Sequence, residues 1–171
     1  MPLPPLSEWE SFYVITGSSG AALTGLMFVV ITLAADRIPS TGQSTSAFGT
    51  PNVVHFALVL LIASLMTIPR ETATTLGWCL LATALGGLMY AVTTVVTMRR
   101  QKVYKPVLED WIFHALFPVS AYLALAVAAL LMWSHPLPAL YMVAGVTLFL
   151  MFIGVHNAWD AAVYIAMHEK K

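Results

Sequence analysis

Three histidines, an aspartate and an asparagine stand inside or at the edge of long apolar runs: His55, His114 and His156, with Asn157 and Asp160 following the last. Neutral imidazole is the commonest side-chain ligand for transition metals, and two or three histidines with a carboxylate suit zinc or iron. His55, His114, His156 and Asp160 therefore form one candidate metal set. Any two of the histidines can instead ligate a haem b from above and below, and the same residue types serve a proton relay. A plainer use competes with all three: a histidine one turn inside a membrane interface snorkels to water, and a His/Asp pair four residues apart satisfies itself.

The elements that carry these residues follow from composition. The chain has 171 residues, 59% hydrophobic and 9% charged, with a mean hydropathy of +0.82. Soluble domains carry about 25% charge, so this is an integral membrane protein of one domain, and its first partner is the lipid bilayer. Its few charges sit at segment ends and form no basic stripe, which excludes nucleic acid. The single Cys79 excludes an internal disulfide and most thiolate metal sites. The start, MPLPPLSEWE, has two acidic residues and no basic one. It lacks the basic opening of a signal peptide, so the first apolar segment is expected to stay in the mature protein.

Five apolar runs, at about 11–35, 52–69, 73–98, 111–133 and 138–166, predict an all-α bundle of five transmembrane helices. The second is marginal in length. Grouping the first loop, the third loop and the C-terminal tail collects Arg37, Arg99, Arg100, Lys102, Lys105, Lys170 and Lys171, against Arg70 alone on the other side. The excess of positive charge marks the cytoplasm. The N-terminus is thus expected outside and the C-terminus inside, as five spans require.

On a helix turning ~100° per residue, His156, Asp160 and Tyr164 form one polar stripe with Asn157 beside it, and that stripe is expected to face protein. Gly154, Ala158 and Ala162 make a small-residue ribbon on roughly the opposite side. Gly17, Ala21 and Gly25 make another in the first span. Such ribbons let helix backbones approach closely in lipid, either within the bundle or between two copies. In the third span, Gly86 and Gly87 leave room for a neighbour or a ligand. The predicted topology puts His55, His114 and His156 at similar depth in the cytoplasmic leaflet. Trp9, Trp111, Trp133, Tyr141 and Trp159 fall near the interfaces as aromatic anchors. No serine nucleophile motif, glycine-rich phosphate loop or metalloprotease motif is present.

SSGAALTGLMFVVITLAADRI, EDWIFHALFPVSAYL and FIGVHNAWDAAVYI resemble segments of a family of small bacterial multi-span proteins. Some of its members are labelled modulators of a membrane-anchored AAA protease. The resemblance touches three of the five spans. It implies a bacterial inner-membrane location and a regulatory role, and it supplies no catalytic residue. The expectation is a non-enzymatic bundle that binds a small ligand, itself or another membrane protein. A cofactor-bearing protein using the histidine layer is the alternative, and a proton or solute channel comes third.

Overall fold

The computed structural model describes residues 4–33, 50–69, 71–100 and 107–167, with no side-chain description for 50, 51 and 164–167. A 3-10 turn, Leu6–Trp9, leads into α1, Glu10–Leu33. Then come α2, Thr50–Met66; α3, Ala73–Arg100; α4, Leu108–Leu131; and α5, Pro136–Met167. Among the described residues every regular element is helical. Four helices, α1, α3, α4 and α5, are long and apolar enough to cross a membrane; α2 is apolar but shorter. Helices solve the problem of an apolar solvent because each peptide group finds its partner within its own segment. Threonine hydroxyls do the same, Thr16 donating to the Phe12 carbonyl at 3.0 Å, Thr24 to Gly20 at 2.8 Å and Thr97 to Thr93 at 2.8 Å.

The expected second span, 52–69, ends three residues early. Thr67 and Ile68 turn back on Ser64 and Leu65 ahead of Pro69, which has no N–H with which to continue the ladder. α3 is then capped by Thr72, whose hydroxyl accepts the Thr75 N–H at 3.2 Å. The Thr75 hydroxyl donates to the Glu71 carboxylate at 2.6 Å. Arg70 lies outside the described residues, as do Arg37, Lys102, Lys105, Lys170 and Lys171.

Helices α2, α3, α4 and α5 close a ring in which each touches the next, and α1 lies outside against α2 and, more lightly, α5. α2 is therefore enclosed on three sides. Asn52, His55, Phe56, Val59, Ile62, Ala63 and Met66 are all buried. The outside of the bundle is apolar too, with Ile15, Phe28, Met89, Leu130 and Phe152 exposed. A continuous apolar exterior on helices of this length makes this a membrane protein.

The first-span ribbon needs correction. Gly17 is buried, and a Cβ there would stand 2.7 Å from the Ala63 Cβ of α2. Ala21 and Gly25 are exposed, and nothing lies within 4 Å of a Cβ at Gly25. The contact face is instead Tyr13, Thr16, Gly17, Gly20 and Met27. Steps of four drift ~40° each around a helix, whereas alternating steps of three and four stay on one side. Gly17→Ala is accordingly expected to destabilise the protein by about 1–3 kcal/mol. Gly25→Ala should be neutral or stabilising by up to about 1 kcal/mol. Unfolding of the two variants in detergent, side by side, checks the contrast.

The aromatic anchors pair at the ends. Trp9 meets Tyr141 edge-on at 4.8 Å and Trp78 meets Trp133 at 5.2 Å, at the end where α1, α3 and α5 begin. At the opposite end the Arg99 guanidinium lies 5.9 Å from the Trp111 ring. Trp159 is exposed.

Candidate functional site

The buried histidines and asparagines, Asn52, His55, His114 and Asn157, gather at the end where α2 and α4 begin and α3 and α5 finish. Their arrangement starts from Pro118. Having no N–H, it cannot serve the carbonyls of the preceding turn, and just before it the chain widens into a π turn over Ile112–Leu116. Phe117 gives its N–H to the Ile112 carbonyl. Phe113 thereby loses its α-helical donor to Ile112, and its next donor in sequence would be the imide nitrogen of Pro118. The vacancy is met from α5: the buried Asn157 places its amide nitrogen 3.4 Å from the Phe113 carbonyl. This is a long hydrogen bond, but it answers an acceptor that the helix itself leaves open.

The Phe113 side chain lies flat on the His156 ring, centroids 3.4 Å apart and planes 4° from parallel. His156 Nε2 is 3.3 Å from Glu109 Oε1, and Nδ1 is 3.2 Å from Asp160 Oδ2. Nδ1 is buried, and although its distance to Asp160 is that of a contact pair, the alignment is not that of a hydrogen bond. Each ring nitrogen thus has a carboxylate beside it, one from the start of α4 and one from its own helix. The carboxylates are open to solvent, with side chains 64% and 51% exposed, while that of His156 is 28% exposed. Asp110, next to Glu109, is engaged in capping: its Oδ2 accepts the Val107 N–H at 2.9 Å.

Deeper in the bundle, His55 Nδ1 and the Tyr122 hydroxyl are 2.7 Å apart, and both residues are buried. Tyr122 reaches His55 because Gly87 of α3 makes room. A Cβ at Gly87 would overlap the Tyr122 ring, whereas Gly86 faces outward with nothing near. The space expected beside these glycines is filled by a neighbour's side chain. His114, also buried, stands on the π turn of α4 at this same end.

His55 and His114 are buried, and His156 is part-exposed. Among the described residues, the group whose ligand atoms all lie within 4.8 Å of one another is Glu109, His156 and Asp160. His55 and His114 stand outside it. The four-residue metal set is corrected accordingly, and the haem reading meets a His55 already engaged with Tyr122 in a packed core. Depth alone could not fix this, because a shared level leaves the rotation of each helix open. The stripe also divides: Asn157 faces inward, Asp160 faces out, and the side chain of Tyr164 is outside the described set. In the α5 ribbon, Gly154 is buried, with a Cβ position 2.6 Å from Phe56 Cε1, while Ala158 and Ala162 are half-buried. Glu109 and Tyr122 escaped sequence reading. Glu109 sits at the same predicted end as His114, five residues before it, so the depth argument applied to carboxylates would have found it. Tyr122 carries no such signal within its apolar run.

Comparison with protein-family models, curated proteins and solved structures finds no match to this chain.

Proposed function

We propose that this chain is a five-span protein of the bacterial inner membrane, with its N-terminus outside and its C-terminus in the cytoplasm. It acts without catalysis, by binding a partner or a small ligand at its cytoplasmic end. The observation that carries the reading is the one-sided placement of polar groups. Glu109, His114, His156, Asn157 and Asp160 collect at one end, where Glu109, Asp160 and part of His156 reach solvent and His114 and Asn157 are buried behind them. Arg99 and Arg100 end α3 on the same side, and the basic residues at 102, 105, 170 and 171 adjoin α4 and α5 in sequence. At the other end α2 is joined to α3, and α4 to α5, by short connections. The resemblance of three spans to a family with regulatory labels agrees with a role as an accessory subunit, the partner being a second copy or another membrane protein.

Two experiments test this. A reporter fused after Lys171 is expected to be active only in its cytoplasmic form; an extracytoplasmic signal overturns the orientation. A photocrosslinking residue at the exposed Trp159 should capture a discrete protein product in intact cells, while one at Met89, exposed on the lipid-facing side of α3, should give lipid adducts. Equal patterns from the two positions contradict a binding end.

A further inference from the structure

We infer that Glu109, His156 and Asp160 form a site for a zinc-class divalent cation that ties the start of α4 to the end of α5. The inference rests on the reading of this end as the binding end and names its ligand. His156 Nε2 and the Glu109 carboxylate are the two protein ligands, with water completing the shell. Asp160 accepts a hydrogen bond from the N–H of the other ring nitrogen, Nδ1. A metal-bound histidine ordinarily gives its second N–H to a carboxylate, which fixes its tautomer and ring orientation. Here Asp160 Oδ2 is 3.2 Å from the buried Nδ1, and its exposed carboxylate is free to turn into line. Glu109 Oε1 is 3.3 Å from Nε2. Two ligand atoms each ~2.1 Å from one ion stand at most ~4.2 Å apart, so the Glu109–His156 pair already has the required spacing.

A second observation concerns the orientation of the ring. The Phe113 and His156 rings lie centroid over centroid, nearly parallel, so the imidazole is held flat with its two nitrogens turned toward the two carboxylates. Phe113 is held against His156 by the π turn and by the Asn157 amide on its carbonyl, so the ring plane is set before any ion arrives. Asp110 is engaged with the Val107 N–H and is not a ligand.

Metal-stripped, full-length protein in lipid nanodiscs is titrated with zinc by calorimetry and with cobalt by visible absorption. The expected result is one ion per chain, with a cobalt ligand-field band. Glu109→Gln and His156→Gln each lower the affinity at least tenfold, and Asp160→Asn lowers it by about 10- to 100-fold. Asp110→Asn and His168→Ala leave it unchanged; the latter tests the other histidine near the C-terminus. Circular dichroism of each variant verifies folding. Absence of zinc binding, or binding insensitive to Glu109→Gln, overturns the metal site. A discrete crosslinked product from position 159 of the Glu109→Gln variant in intact cells would still support the binding end, so the two readings fail separately.

Discussion

Tyr122→Ala is expected to destabilise the bundle by about 4 kcal/mol, the usual range for removing a buried aromatic ring, with about 1–3 kcal/mol more for the polar partner left behind. Tyr122 is fully buried between α3 and α2. Its ring occupies the space that Gly87 leaves, and its hydroxyl is 2.7 Å from His55 Nδ1. Removing the ring therefore opens a cavity and strands an imidazole in an apolar core. The two costs can be separated. Tyr122→Phe keeps the ring and should lose only about 1–2 kcal/mol, since deleting one side of a buried polar pair leaves the other unsatisfied. Adding His55→Leu to Tyr122→Phe should recover part of that loss, because removing both partners is far less harmful than removing one. Denaturant titration in mixed micelles measures all three. A double variant no better than Tyr122→Phe alone would show that His55 is held by something other than Tyr122.

Gly154→Leu is expected to cost about 3 kcal/mol, at the upper end of the range for overpacking a core. A Cβ alone would stand 2.6 Å from Phe56 Cε1, and Phe56 has little freedom to withdraw. It is fully buried, and its carbonyl is 3.0 Å from the Cβ position of Gly20 on α1. The Phe56 position is thus pressed from two helices, its ring by α5 and its backbone by α1. Phe56→Ala by itself should cost about 3–5 kcal/mol through the cavity it leaves. In the double variant the leucine fills that cavity. The losses should then fall short of the sum by about 1–2 kcal/mol, the scale of coupling between residues in contact. Strict additivity would mean that the two side chains do not share one space.

The helices were legible because hydropathy alone reports a run long enough to span, and α1, α3, α4 and α5 start or end within about three residues of their expected limits. What hydropathy does not carry is rotation about each helix axis. Gly17, Ala21 and Gly25 looked alike in sequence, yet only Gly17 meets a neighbour, because the seam follows alternating steps of three and four. The histidine layer shows the same limit. Matching depth brought His55, His114 and His156 to one end of the bundle, but their partners are decided by azimuth. His55 turns to Tyr122, whereas His156 turns to Glu109 and Asp160. A tyrosine inside an apolar run reads as core, and a glutamate at its edge reads as a boundary marker. Neither announces a partner until the neighbouring helix is in place.

The π turn at Ile112–Leu116 acts as an angular offset. One residue absorbed in a wide turn displaces everything before it by ~100° relative to an unbroken α-helix. The first turn of α4, Leu108–Trp111, is thereby clocked independently of the packed stretch beyond Phe117. Tightening the π turn to ordinary α-helix without removing a residue would leave the stretch beyond Phe117 seated against α3 and α5 while swinging Glu109 by ~100° away from His156, whereas deleting one residue as well would bring Glu109 back. A lengthwise stack of side chains has become a rotary joint, and its pitch is set by the proline that follows it.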